Sequence, residues 1–505
     1  MRSKLLPWLP ALLGLFLATV PLMVRAAGAN QPNIILLLGD DHGWDETAYN
    51  GHPYLKTPVL DQMAKTGLRL NRFYSGGSSC SPTRATIMTG RHHLRSGVYT
   101  PGWSTRPEEI GLASIMRQAG YATGHFGKWH LGAVKAGSPL NPGALGYDTW
   151  LGHDNFFELN PTFSRNGGPP EKFQGESSEI LVAEAIRFIA QAKREGKPFF
   201  ITIWYGSPHE PYSALPKDLA VYDNLPADFG NKQVALTSNE TGKVIRRQQR
   251  DVLRERFAEI TAMDRSIGQL RDYLSQQQVR DNTLLWYSGD NGTPEEAVAT
   301  VPFRGWKADV YEGGIRVPAV LEWPARIPRP VTSDVNTVTT DMFNTLCEIA
   351  GQPVPARPLD GISLLPLFDG KMKSRPQPIA FWNGDLLARQ KGEPYLDPEL
   401  QRGTTPVVKL APGGSGLFTR DFLNNRHPEI KPADFNGARA LLDNQYKLVV
   451  DGEDKPSKEL FDVRADPAEK KNIIADHPEV AARMEQQLRA WQESVLKSLT
   501  GADYK

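Results

Sequence analysis

Three carboxylates and one amide, Asp40, Asp41, Asp290 and Asn291, give the chain an oxygen-only set of donors. Hard oxygen ligands suit Ca2+ or Mg2+ rather than zinc. A divalent ion among them would polarise an anionic ester and activate a nucleophile. The candidate nucleophile is Cys80, in the run Ser78-Ser79-Cys80-Ser81-Pro82-Thr83-Arg84. Pro82 suits the first turn of a helix, which sets Cys80 at that helix's N-terminus, where anions bind and developing negative charge is stabilised. Arg84, one turn on, adds a fixed cation. Taken singly, each acid reads better as a turn or capping residue, and the cysteine as a buried thiol beside a capping Ser. Their common placement changes that reading.

The apolar run Asn33–Leu38 ends at Asp40-Asp41, Phe199–Tyr205 is followed by Pro208-His209, and Thr283–Tyr287 by Asp290-Asn291. Short continuous apolar runs of this kind form strands buried on both faces. Val317–Trp323 predicts a fourth. Helical patterns over 180–192 and 250–276 lie between them, so the alternation implies an α/β fold with a mainly parallel sheet covered by helices. Asp40, Asp41, His209, Asp290 and Asn291 then share the edge at the carboxyl ends of the strands, where such sheets bind ligands. Further along, Tyr446–Val450 and Leu460–Val463 predict strands and 478–499 a terminal amphipathic helix. The chain is therefore divided into a catalytic domain, 30–374, and a C-terminal α+β subdomain, 375–505, with a small antiparallel sheet. Ala380–Arg439, rich in Gly, Pro and Asn, reads as surface loops.

The 505 residues are 40% hydrophobic, which excludes a disordered or collagen-like chain. Basic and acidic residues nearly cancel, 58 against 57, with no long basic run, so a nucleic-acid partner has no electrostatic support. Two cysteines, Cys80 and Cys347, exclude a disulfide framework and a Cys-rich zinc module. Cys347 sits on an apolar helical stripe and reads as a small core residue. Arg2 and Lys4 precede an apolar run to Val24, and Ala27-Gly28-Ala29 supplies a small-x-small site, which together predict a signal peptide over 1–29. Pro7, Pro10 and Pro21 interrupt the run, which favours cleavage over an anchor, with no stable membrane insertion afterwards. The expected location is periplasmic or secreted. Asn239-Glu240-Thr241 is a glycosylation sequon of the short kind that chance often supplies.

Cys80-x-Pro82-x-Arg84 followed by Thr89-Gly90-Arg91 resembles the signature of the type I sulfatases of the alkaline phosphatase superfamily. Gly124-His125-Phe126-Gly127-Lys128-Trp129-His130 resembles a second motif of that family. Pro208-His209-Glu210-Pro211, Gly289-Asp290-Asn291-Gly292, Gly305-Trp306-Lys307 and the segment 459–469 continue the resemblance in order, from about residue 33 to 497. The resemblance implies an alkaline phosphatase-like fold with a large mixed, mainly parallel sheet. It also implies conversion of Cys80 to formylglycine (3-oxoalanine) by a maturation enzyme, and Ca2+ on Asp40, Asp41, Asp290 and Asn291. In that scheme the hydrated aldehyde attacks sulfur, Asp290 assists its deprotonation, and its second hydroxyl expels sulfate. Arg84, Lys128 and Lys307 would neutralise charge, His130 would hydrogen-bond the nucleophile, and His209 would protonate the leaving alcohol.

The implied substrate is a sulfated sugar or an aryl sulfate. Two alternatives stand beside it: a phosphoester or phosphonate hydrolase of the same superfamily, and a non-catalytic sulfated-glycan-binding protein. His153, Asp154 and Asn155 are candidates for substrate contact. Gly152–Gly175, Tyr212–Lys243 and Phe381–Asn436 are the expected specificity loops, the last with Trp382, Arg420, Arg426 and His427 as a polar and aromatic lining.

Overall fold

The structure, a computed structural model, describes residues 31–238, 243–384, 392–408 and 418–504. The expected signal peptide and the sequon at Asn239 lie outside them. No helix among the described residues is long and apolar enough to cross a membrane.

Ten strands form the main sheet. Its centre is parallel, in the order Thr283–Gly289, Asn33–Gly39, Phe199–Trp204, Ala122–Lys128, Thr149–His153. Ala319–Glu322 pairs antiparallel beside Thr283–Gly289, and Thr162–Arg165 does so beside Thr149–His153, which makes the sheet mixed. Alternation within Asn33–Gly39 feeds two cores. Ile34, Leu36 and Leu38 face a cluster holding the helices Cys80–Thr89 and Thr340–Ile349. Ile35 and Leu37 face the helices Ser177–Arg194 and Gln249–Gln276. Each such side chain, at 0–2% exposure, contributes about 1.5–3 kcal/mol by leaving water. Cys347 is a fully buried member of the first cluster.

The expected run Val317–Trp323 is split: Arg316–Val317 joins a separate three-stranded sheet, and only Ala319–Glu322 enters the main one. A four-stranded antiparallel sheet, Ile379–Trp382, Arg439–Leu442, Tyr446–Asp451 and Ser457–Asp462, lies near the C-terminus. Its first strand falls inside the stretch expected to be loops, because Phe381 and Trp382 are core residues there. The terminal helix Pro478–Leu499 lays Val480, Ala481, Met484 and Leu488 on this sheet and sends Val495, Leu496 and Leu499 into the main core.

Candidate functional site

Four parallel strands deliver the predicted residues to one edge. Asn33–Gly39 ends at Asp40 and Asp41, Thr283–Gly289 at Asp290 and Asn291, Phe199–Trp204 leads to His209, and Ala122–Lys128 ends on Lys128 itself. Trp129 and His130 follow Lys128 directly. Gly127 makes this last strand possible: at φ 111° it lies so close to the backbone of Trp204 that a Cβ would stand 1.9 Å from the Trp204 carbonyl oxygen. Cys80 is the first residue of the helix Cys80–Thr89, with Ser79 as its N-cap, as Pro82 predicts.

Asp40, Asp41 and Asp290 bring one oxygen each within 4.8 Å of one another, all buried. Asn291 donates from Nδ2 to Asp41 Oδ1 at 2.9 Å, and its own Oδ1 is buried with no hydrogen-bond partner among the described residues. Cys80 Sγ lies 3.7 Å from Asp41 Oδ1. Lys307 Nζ reaches Asp41 Oδ2 at 2.7 Å and Lys128 Nζ reaches Asp40 Oδ2 at 2.6 Å. Arg84 bridges Asp40 Oδ1 at 3.1 Å and Asp290 Oδ2 at 2.9 Å through Nη2, and donates from Nη1 to the Lys128 carbonyl at 3.2 Å. Arg84 and Lys128 thus hold carboxylates in place and are wholly buried, whereas Lys307 stands partly exposed at the mouth.

The electrostatics follow from this packing. Burial alone would raise Asp40, but Lys128, His209 and Arg84 outweigh it and hold the carboxyl well below its usual range. Asp41 is likewise held at about 2, burial being overcome by Lys307 and His209. Asp290 goes the other way, to about 8, because burial and the neighbouring Asp40 outweigh Arg84. Burial and Asp40 push the Cys80 thiol well above its usual value. Three carboxylates this close need a further positive charge before all are stable as anions.

His209 stacks on Phe156, with ring centroids 5.0 Å apart, and its Nδ1 meets the Glu210 carbonyl. That contact leaves Nε2 to accept from Lys307 Nζ at 3.3 Å, so Lys307 and His209 form one proton-holding pair. Burial lowers His209 to about 4, with Asp41 opposing the shift. Burial, Lys128, Arg420 and Arg84 keep His130 neutral, and neither of its ring nitrogens has a partner among the described residues. Its carbonyl accepts from Ser81 Oγ at 2.7 Å, which ties this loop to the helix of Cys80. Asp41 and His130 both hold left-handed backbone, φ 61° and 56°, a cost of about 1–3 kcal/mol each that is tolerated at constrained sites.

Of the three candidates after Gly152, His153 and Asp154 hold a distant loop, whereas the buried Asn155 Oδ1 has no hydrogen-bond partner among the described residues. Asp154 accepts from the backbone N–H groups of Val134, Thr404 and Thr405, and His153 Nε2 meets the Pro406 carbonyl. Asn155 donates its N–H to His153 Nδ1. Trp382 is buried and donates to the Asn436 carbonyl, which takes it out of the expected sugar lining, while the exposed Arg426 lies over the Tyr395 ring and His427 pairs with Asp434.

Sequence reasoning missed Phe156, Glu46 and Arg256. Arg256, on the helix Gln249–Gln276, is fully buried and donates to the carbonyls of both Asp41 and Pro208 while Glu46 neutralises it. It clamps the loop of the carboxylates to the loop of His209. Its spacing in a charged helix gives no sign of this, and Phe156 carries no motif either.

Fold and site together define an ester hydrolase of alkaline phosphatase-like architecture with buried carboxylates around a helix N-terminus. A sequence model of the family described as Sulfatase matches residues 32–352. N-acetylgalactosamine-6-sulfatase from Canis lupus familiaris is 32% identical over 402 residues, spanning 72% of this chain and 70% of the relative. Among solved structures, Ps i-CgsB in complex with k-i-k-neocarrahexaose superimposes with a TM-score of 0.72 at 21% identity, over 92% of this chain and 93% of that one. BT4656, in complex with its substrate D-glucosamine-2-N,6-O-disulfate, gives 0.69 at 19% identity, over 92% and 98%. The chain belongs to the sulfatase family and is a sulfuric ester hydrolase.

Proposed function

We propose that this sulfatase removes sulfate from a sulfated carbohydrate, using formylglycine made from Cys80 as nucleophile and Ca2+ held by Asp40, Asp41, Asp290 and Asn291. The observation that carries the reading is the 3.7 Å approach of Cys80 Sγ to Asp41 within the cluster of three carboxylates. The donor set fits a hard cation: it is all oxygen, its negative charges crowd one another, and the buried Asn291 Oδ1 has no other partner among the described residues. The glycan ligands of Ps i-CgsB and BT4656 support the sugar as substrate class.

When bound, the ion supplies positive charge for sulfate oxygens, and formylglycine supplies a hydrated aldehyde as nucleophile. The chain's own residues do the rest. Arg84 and Lys128 fix the orientation of Asp40 and Asp290 from beneath. Lys307 presents an ammonium at the mouth, where it can meet a sulfate oxygen. The Lys307–His209 pair holds the proton that the leaving alkoxide requires, and the Phe156 ring keeps His209 facing inward. His130, with both ring nitrogens free of partners among the described residues, is available to hydrogen-bond the modified side chain of residue 80. The leader-like segment before residue 30 supports a periplasmic or secreted enzyme, matured by a formylglycine-generating partner.

Initial rates of sulfate and phosphate release from matched aryl esters test the reaction, and mass spectrometry of the Cys80 peptide from active enzyme tests the nucleophile. Faster phosphate release, or full activity with an unmodified thiol, would overturn the respective part.

A further inference from the structure

Arg420 differs from every other cation of the site. Arg84, Lys128 and Lys307 are each paired with carboxylates, three cations against three acids. Arg420 makes no ion pair with any described residue. Its half-buried guanidinium lies against Gly102 and donates from Nη2 to the Pro101 carbonyl at 2.7 Å. Gly102, at φ 94°, leaves the room for it, since a Cβ there would stand 2.7 Å from Nη2.

The segment that carries Arg420 is firmly seated. Leu423 donates its N–H to the Gly102 carbonyl at 2.9 Å, and Ser104 donates to the Leu423 carbonyl at 2.9 Å. Asn424 Nδ2 holds the carbonyls of Ser96 and Ser104 at 3.1 and 2.6 Å. Phe422 meets the His130 ring edge-on, with centroids 6.1 Å apart. Arg420 is therefore presented on the wall beside His130. Its charge acts on His130 across this wall. A partly desolvated guanidinium with no ion pair among the described residues is costly, and among those residues it places one of its five N–H donors on protein, at the Pro101 carbonyl. The remaining fork matches a planar or tetrahedral oxyanion.

Resting on the reading of Cys80 as the centre that cleaves a sulfate ester, we propose that Arg420 seats a second anionic group of the substrate, a carboxylate or another sulfate borne beside the ester that is cleaved. The site then selects a doubly anionic sugar over one whose only charge is the sulfate that is cleaved.

The test compares wild type with Arg420→Ala and Arg420→Lys on 4-nitrophenyl sulfate, N-acetylgalactosamine 6-sulfate, D-glucosamine-2-N,6-O-disulfate and a sulfated disaccharide containing a uronate. The ratio of kcat/KM for a two-anion sugar over a one-anion ester should fall about 10- to 100-fold in Arg420→Ala, mainly through KM, with partial recovery in Arg420→Lys. Loss confined to the disulfate or to the uronate identifies which anion is bound. An unchanged ratio, whether every rate is kept or all fall together, overturns the proposal. Should wild type release no sulfate from any of the four, the sulfatase reading falls and this proposal with it; release without dependence on Arg420 overturns this proposal alone.

Discussion

Arg256 and Glu46, 210 residues apart in sequence, meet in a bidentate ion pair, Nε to Oε1 and Nη2 to Oε2 both at 2.6 Å. Both side chains are buried, and the same guanidinium holds the Asp41 carbonyl at 2.5 Å and the Pro208 carbonyl. Removing one partner leaves an uncompensated buried charge, so Arg256→Ala should lose about 3–5 kcal/mol of unfolding free energy. The double change Arg256→Met with Glu46→Gln should regain much of that stability but not turnover, because the two carbonyls lose their clamp. Urea denaturation beside sulfate-release kinetics checks this. Full activity in the stable double variant would show that the clamp does not position the site.

Replacing Cys80 by Ser tests the nucleophile apart from the fold. The swap nearly conserves volume but buries a hydroxyl, so it should cost about 1–3 kcal/mol, less where the hydroxyl finds an acceptor. The new hydroxyl also has Asp41 Oδ1 nearby, where Sγ stands at 3.7 Å. Turnover of 4-nitrophenyl sulfate should nonetheless vanish while the melting temperature stays close to that of wild type. Retained turnover would mean that an ordinary hydroxyl suffices and that no aldehyde is needed.

The strands that end at Asp40, His209 and Asp290 were legible because each is an unbroken apolar run with its chemistry just past the end. Ala122–Lys128 was not, although it is buried throughout, because Gly124, His125, Gly127 and Lys128 occupy positions that apolar residues would mark. His125 is satisfied by Thr202 at 2.8 Å, and Gly127 by close backbone approach, neither of which leaves a periodic signal. Arg256 and Glu46 were invisible for a further reason: a buried pair of opposite charges looks, in one dimension, like two ordinary surface residues. Asp154 was visible but read toward the substrate, since the backbone groups it holds at 404 and 405 come from a distant loop.

Buried neutral histidines give the protein a predictable sensitivity to acid. Burial lowers His52 to about 4, His93 to about 4 and His125 to about 3. His52 Nδ1 accepts the N–H groups of Tyr54 at 3.2 Å and Leu55 at 2.8 Å, which requires it to be unprotonated. In the unfolded chain each returns to roughly 6.5 and takes up a proton that the native state refuses. Their contribution is therefore complete above about pH 6.5 and is lost as the pH falls toward 4, by up to about 1.4 kcal/mol per unit for each group. Asp45, Glu210 and Asp264, raised by burial to about 7, act in the opposite sense over the same range, so the rings are followed by their own titration. Imidazole NMR shifts of His52, His93 and His125 should keep their neutral values in the folded protein from about pH 7 to pH 5, and protonation near pH 6.5 would contradict their burial as neutral species.

Ion removal should separate two roles of the carboxylate cluster. Asp40, Asp41 and Asp290 are partly compensated by Arg84, Lys128 and Lys307, so the fold does not depend on a cation alone. Asp290, pushed up to about 8, shows that compensation is incomplete. Treatment with EGTA should therefore abolish sulfate release yet leave a folded protein with a lower melting temperature. Ca2+ added back at a hundredfold excess over its Kd should restore about 2.7 kcal/mol. Asp41→Asn, which removes the charge shared by Lys307 and the ion, should weaken Ca2+ binding in calorimetry while the far-UV circular dichroism stays native. Zinc should substitute poorly at Asp40, Asp41 and Asp290, a group to which no described Cys or His contributes an atom. Full activity after exhaustive chelation would remove the ion from the chemistry and leave Lys307 as the charge that meets the sulfate.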